Sequence, residues 1–358
     1  MRGMNDLILD RGKPEAIPAT LGTESEIDAF MARPYPEVVD LMRRLQGDIA
    51  ILGVAGKMGI ALGATAVIAS RAAGVSRRVY GVSRFSNAAA FDAVARTGMT
   101  PLRCDLLDSQ AVAALPRAPN VIFMAGRKFG TTGEEEQTWA TNTLTPARVC
   151  EHFTDSRIVA FSTGCVYPFV PVDSGGCTEE TPPGPVGEYA QSCLGRERIF
   201  AYFSLRNKTP VCLLRLNYAL DLRYGVIHDL ALTIWQGRPV SRRVPFFNAL
   251  WQGDANNLTL LTLDSATSPA TVLNLTGPEI LSVTEIAETL GRLLGKPVVF
   301  DGEPGPTAYL NNSARLHARF GRPCVPVARV IEWTAAWVRA GGLSYGKPTH
   351  FEVANGTF

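Results

Sequence analysis

The segment DIAILGVAGKMG, residues 48–59, decides the fold. A short apolar run leads into Gly53, Gly56 and Gly59, with Lys57 and Met58 between the last two glycines. The Gly/Ala-rich stretch 57–73 follows. The order reads as strand, tight turn and helix. Glycine serves three needs there: the turn itself, close approach of backbone to a pyrophosphate, and strand–helix packing. The helix N-terminus then presents free N–H groups to phosphate oxygens. A P-loop does not fit, because Met58 follows Lys57 where Ser or Thr is required, and Ile51 takes the place of the first glycine.

The same alternation continues along the chain. Strands are expected at RRVYGVSR, MTPLRC, NVIFMAG, RIVAFST and PVCLLRL, with helices over 87–97, 134–153 and 187–205 between them. This predicts an α/β, Rossmann-type, doubly wound parallel sheet over residues 48–218. Residues 1–47 read as an N-terminal helical extension, with a Thr23/Glu26 capping box and Pro36 in the first turn of a second helix. Residues 219–358 read mainly as a smaller substrate-binding lobe, with 249–276 returning to the Rossmann sheet. Within it, helices are expected near 224–237, 253–264, 282–295 and 327–340, the third with a Ser282/Glu285 capping box. The tail carries Phe351, Val353 and Phe358, which suit closure of the lobe or a subunit contact.

Composition sets limits. The 358 residues are 46% hydrophobic and 19% charged, enough for a sizeable core. A formal net charge of +2 gives no electrostatic reason to expect nucleic acid or an anionic membrane as partner. No apolar run reaches membrane-spanning length, and the N-terminus lacks a signal-peptide layout. Seven cysteines without CxxC pairs argue against a disulfide framework and a zinc site. The expectation is a cytoplasmic protein with no metal, with a homodimer left as an open option.

The second strand ends in Ser83 and Arg84, where an NAD enzyme usually offers a carboxylate to the ribose hydroxyls. A guanidinium suits a 2′-phosphate, so Arg84 favours NADP, with NAD as second choice.

With these pieces in order, the chain from about 48 to 345 resembles the extended short-chain dehydrogenase/reductases, the NAD(P)-dependent epimerase/dehydratase family. GVAGKMG is similar to the family's glycine motif. RCDLLD resembles its acidic turn, which implies that Asp105 and Leu106 touch adenine. VIFMAGRK resembles its fourth-strand motif, placing Ala125, Gly126 and Lys128 along the cofactor, and TNTLTPARV puts Asn142 at its matching asparagine. FSTGCVY places Thr163 at the catalytic Ser/Thr position. TEETPPGPVGEYAQS makes Tyr189 the catalytic tyrosine. LLRLN places Arg215, Leu216 and Asn217 near nicotinamide and substrate. Arg223, in the expected substrate lobe, is a further candidate to bind substrate.

One position departs from the resemblance. Cys193 stands where the family carries a lysine that holds the nicotinamide ribose and lowers the tyrosine pKa. A cation about 5 Å from a phenolate, at an effective dielectric near 20, contributes roughly 3 kcal/mol, or about two pKa units. Its loss implies a slower base rather than none, and tilts the chemistry toward reduction, where neutral tyrosine is already the acid. Arg196, seven residues on, lies about 10 Å along the helix and is expected to reach poorly, which leaves Lys128 as the better substitute. Cys193 itself reads either as a small buried hydrophobe or as a catalytic thiol.

The expectation is therefore an NAD(P)-dependent oxidoreductase or epimerase. It would act on a hydroxyl or carbonyl of a polar, sugar-like small molecule, with Tyr189 as acid/base and Thr163 orienting the reacting oxygen. A dinucleotide-binding sensor without turnover, and a dehydratase with recycled cofactor, are the alternatives.

Overall fold

The computed structural model describes residues 7–128 and 133–353; Phe358 lies outside the described residues. The strands β1 (Ile49–Leu52), β2 (Val79–Ser83), β3 (Thr100–Arg103), β4 (Asn120–Phe123), β5 (Arg157–Thr163), β6 (Val211–Leu216) and β7 (Thr271–Leu275) form one sheet. The order is β7-β6-β5-β4-β1-β2-β3, and every neighbouring pair is parallel. The chain starts at the centre, winds out to β3, then returns to β4 on the other side of β1. Connections from β1 and β4 thus leave in opposite directions, which opens a crevice at the C-terminal ends of those two strands. Every residue of β1 and of β4 is buried, as a sheet covered on both faces requires.

The helices named below are α1 (Glu24–Met31), α2 (Pro36–Arg44), α3 (Gly59–Ala72), α4 (Ala88–Arg96), α5 (Thr145–His152), α6 (Gly187–Asn207), α7 (Val226–Trp235), α8 (Gln252–Leu261), α9 (Val283–Leu294) and α10 (Val327–Arg339). α3 packs on the sheet so closely that a Cβ at Gly63 would meet Met99 Sδ at 2.1 Å. Helices α7, α9 and α10 pack on one another and make the lobe beyond the sheet. None among the described residues is long and apolar enough to cross a membrane.

Two local expectations change. The helix expected over 134–153 is interrupted: residues 140–144 widen into a π-helical turn before α5, and that turn carries Asn142. At α9, Ser282 accepts the Glu285 N–H at 3.3 Å, but the reciprocal half of a capping box is not formed. At α1 both halves are present, with Thr23 and Glu26 exchanging bonds.

The N-terminal helices are tied to the sheet side of the molecule. α2 lies against α3 and α8. Tyr35 donates its hydroxyl to Asp254 Oδ1 at 2.5 Å, its N–H goes to Asn257 Oδ1 at 2.7 Å, and Val325 N–H reaches Asp254 Oδ2 at 2.9 Å. Asp254 is thus an internal anchor rather than a pocket residue, and Trp251 beside it is fully buried. Burial raises the Asp254 carboxyl from its ordinary 3.8 to about 6, against hydrogen bonds that pull it down.

A raised carboxyl pKa means that the protonated form favours the folded state. That contribution is complete below about pH 4 and is lost as pH rises through about 6. Between pH 4 and pH 7 the wild type should therefore lose about 2 kcal/mol relative to Asp254→Asn, which lacks the titration. Urea unfolding of both proteins at the two pH values checks this; parallel pH profiles would contradict it.

Candidate active site

The turn after β1 is built by backbone proximity. Gly53 has φ +91°, and a Cβ there would meet the Ala125 backbone at 2.6–2.8 Å. A Cβ at Gly59 would meet Val54 O at 2.3 Å, whereas at Gly56 the nearest atom is Gly53 O at 3.3 Å. The turn is pinned by Gly53 and Val54 N–H groups, both donating to Val82 O at 2.8 and 3.1 Å. α3 then begins at Gly59 with no side-chain cap at Met58, so its first N–H groups remain available to an anion. Met58 packs inward on the core. These features fit a dinucleotide pyrophosphate.

At the end of β2, Ser83 is half-buried and Arg84 exposed. Arg103 holds that corner by donating to the carbonyls of Arg84 (3.1 Å) and Phe85 (2.6 Å). After β3, Asp105 is exposed and accepts Leu107 N–H at 2.9 Å, while Leu106 is buried. Past β4, Ala125 is half-buried and Gly126 is open to the crevice.

β5 and α6 bring Thr163 and Tyr189 together. Thr163 ends β5, accepts Cys165 N–H at 3.2 Å and hydrogen-bonds the Tyr189 side chain. Tyr189 stands in the first turn of α6. Tyr189 as a whole is half-buried. Burial pushes the phenol well above its ordinary pKa, and the nearby thiols Cys193 and Cys165 push the same way. The charge of Arg196 and the bond to Thr163 act against them.

Cys193 is fully buried against Val166, Tyr167 and Cys177, in contact with Tyr189, and burial raises its thiol pKa. This environment favours its reading as a small buried group over that as a catalytic thiol. Arg196 is the reverse case. It is 5% exposed, donates to Phe161 O at 2.9 Å and to Asn142 Oδ1 at 2.5 Å, and lies where a Cβ at Gly126 would touch it at 2.5 Å. Its field reaches both Tyr189 and Cys193. Counting distance along the helix misjudged it, because a long arginine runs back toward the helix N-terminus. Lys128 approaches from the other side, with Nζ 6.0 Å from the Tyr189 ring centroid and 3.5 Å from Thr349 O.

Three expected ligand contacts are structural instead. Asn142 is fully buried and saturated. Its Nδ2 donates to Ser192 Oγ and Arg127 O, and its Oδ1 accepts from Arg127 N–H and Arg196. It therefore positions Arg196 rather than touching a cofactor. Asn217 turns its Nδ2 to Tyr309 O (3.3 Å) and Asn311 Oδ1 (3.2 Å). Arg223 is buried in a bidentate pair with Asp221, 2.8–3.0 Å, and a third bond to Asp28 at 2.8 Å, so it braces α1 and binds no substrate. Arg215 is likewise paired with Glu197, which also accepts from Ser162. His228 bonds Ser344.

The far wall was not legible in advance. Tyr309 stacks on Phe169 with centroids 3.8 Å apart and packs with Cys165, Ala190 and Tyr189. Tyr309 Oη and Asn311 Nδ2 are buried without a hydrogen-bond partner among the described residues. Such donors are costly unless a ligand engages them. Tyr218, in the left-handed region at φ 44°, completes this aromatic side.

Residues 49–219 match the profile of the "NAD dependent epimerase/dehydratase family". A search of the curated proteins gives no sequence match. Among solved structures, UDP-glucuronic acid 4-epimerase from Bacillus cereus, in complex with UDP-glucuronic acid and NAD, aligns at TM-score 0.67 and 17% identity, covering 82% of this chain and 99% of that one. The dTDP-glucose 4,6-dehydratase from Streptomyces venezuelae, with NAD bound, aligns at 0.69 and 18%, covering 82% and 97%. UDP-glucose 4-epimerase from Thermotoga maritima aligns at 0.69 and 16%, covering 82% and 99%. At these identities the likeness speaks for the fold alone, and the family profile matches residues 49–219, a little under half of the chain.

Proposed function

We propose that the protein is a nicotinamide-dinucleotide oxidoreductase or epimerase acting on a hydroxyl or carbonyl of a sugar-like small molecule. The observation that carries this is the Thr163–Tyr189 hydrogen bond at the mouth of the β1/β4 crevice. Residues 1–47, 48–218 and 219–358 divide in this reading into extension, dinucleotide domain and substrate lobe, with 249–276 contributing to the sheet. Crevice residues at Gly53–Gly59, Ser83–Arg84, Asp105–Leu106, Ala125–Gly126 and Lys128 would hold the dinucleotide, with Leu216 near its reactive end. When bound, that group takes up or gives the hydride.

The protein's own part is proton handling and orientation. Thr163 Oγ and Tyr189 Oη converge on one oxygen of the substrate. Burial keeps the phenol protonated, so Tyr189 starts as a proton donor to a carbonyl oxygen and serves reduction better than oxidation. Arg196 and Lys128 stand in for the cation missing at 193. Each stabilises negative charge at Tyr189 Oη as the proton leaves. Tyr309 Oη and Asn311 Nδ2 await polar groups on the substrate. Retention of the Thr163–Tyr189 pair argues against a sensor that binds dinucleotide without turnover.

Arg84 at the end of β2 gives the cofactor preference, NADP over NAD. Arg84→Asp should weaken NADP binding by about tenfold or more and leave NAD binding unchanged or tighter, read by calorimetry; equal losses for both would contradict the preference. Tyr189→Phe should keep dinucleotide affinity and lower NADPH consumption on a panel of keto-sugars and lactones by about a hundredfold or more, whereas undiminished turnover would remove Tyr189 from the chemistry. With 3-fluorotyrosine at 189, fluorine NMR should show the phenol titrating at higher pH in Arg196→Met than in the wild type, with Arg196→Lys between. An unmoved titration would leave Arg196 a purely structural group.

A further inference from the structure

The crevice between the exits of β1 and β4 is spanned on its lobe side by a belt of contacts from distant segments. Lys57, in the glycine turn after β1, sets its Nζ 3.1 Å from the centroid of the Tyr224 ring, just ahead of α7. Asp229, in the first turn of α7, accepts both the N–H and the hydroxyl of Thr349 on its Oδ2, at 2.7 and 2.6 Å. Thr349 O in turn lies 3.5 Å from Nζ of Lys128, in the segment that follows β4. The belt thus runs from the exit of β1 through α7 and the C-terminal segment to the exit of β4.

The C-terminal segment 343–351 has neither helix nor strand, yet it is strapped down along its length. Trp337 Nε1 donates to Leu343 O at 3.0 Å, and Tyr345 N–H to Arg223 O at 3.1 Å. His228 Nε2 meets Ser344 Oγ at 2.9 Å. His350 turns the chain through the left-handed region at φ 53°, and Phe351 beyond it is buried against Phe247, ring centroids 6.0 Å apart. Trp337, Arg223, His228, Asp229 and Phe247 all lie beyond residue 218, so the strap is an edge of the lobe.

The joints of the belt differ in strength. Two short bonds to one buried carboxylate oxygen are charge-assisted. The Lys128 approach to Thr349 O is at the outer limit of a hydrogen bond, and the Lys57–Tyr224 contact is a cation on a ring face with no directional bond. The weak joints are those between lobe and nucleotide domain. A dinucleotide reaching from the glycine turn to the Thr163–Tyr189 pair passes beneath the belt, so these joints have to part before it enters or leaves.

Resting on the function proposed above, we propose that the strap at 343–351 is a clasp over the dinucleotide crevice, latched to α7 by the Asp229–Thr349 pair, and that it gates both entry and release of the dinucleotide. Asp229 and Thr349 are positioning residues in this scheme. They hold the strap across the crevice, and the dinucleotide moves only when the strap lifts.

The test is stopped-flow fluorescence on the full chain. NADPH and NADH are mixed with the protein first; a wild type that binds neither sinks the function reading, and the clasp with it. Release is then timed by displacing the bound reduced dinucleotide with excess of its oxidised form. Asp229→Ala removes the acceptor of both latch bonds and should raise the association and release rate constants together by about tenfold or more, with Kd changed by less than about threefold. Thr349→Val keeps the N–H bond and should raise both constants by a smaller factor, about threefold. Asp229→Asn keeps an acceptor oxygen and should lie nearer the wild type than Asp229→Ala does. Urea unfolding establishes that each variant is folded. Unchanged rate constants in Thr349→Val, or in a folded Asp229→Ala, overturn the clasp. So does faster release with unchanged association, which would make the strap a contact of the bound dinucleotide and not a gate.

Discussion

The turn after the first strand exists only because positions 53 and 59 lack a side chain. The backbone at Gly53 lies against Ala125 of the neighbouring strand's exit, and Gly59 lies against the Val54 carbonyl. A Cβ at 53 would push the exits of β1 and β4 apart, and one at 59 would push the start of α3 off the turn. The exits of β1 and β4 define the crevice, and the crevice brings together the uncapped start of α3, the open backbone at Gly126 and the Thr163–Tyr189 pair. The rest of the site is arranged around a contact that only glycine allows.

The second organising feature is where positive charge stands. Position 193, where the resemblance leads to an expected lysine, is Cys193, yet the phenol is not left among neutral groups. Arg196 comes back along α6 and is locked by Asn142, which the π-turn at 140–144 holds inside the fold. Lys128 comes from the segment that follows β4. The two positions differ chemically: an arginine bonded to Phe161 O and Asn142 is fixed, while Lys128 Nζ lies 3.5 Å from Thr349 O in the C-terminal segment.

Much of this was readable from the chain. Strand and helix periodicity from 48 to 218 placed the sheet because each strand is short, apolar and followed by a helix of suitable length. Thr163 and Tyr189 were readable because they sit in motifs with fixed positions relative to those elements. What escaped was side-chain direction and pairing. Arg223 reads as a substrate ligand until Asp221 and Asp28 are seen around it, and Asn142 as a cofactor contact until its amide proves saturated. Tyr309 and Asn311 arrive from beyond the nucleotide fold, in a stretch with no local pattern to mark them. The strap at 343–351 likewise has no periodicity. Its place is set by long-range bonds to Arg223 and Asp229 that no local window contains.

The most direct measurement is a crystal structure with saturating NADP. The account predicts the pyrophosphate on the N–H groups of the 53–59 turn, and the nicotinamide ring lying against Thr163 and Tyr189, with the strap still in place beside Lys128. A dinucleotide bound elsewhere, or one whose nicotinamide points away from residues 163 and 189, would contradict it.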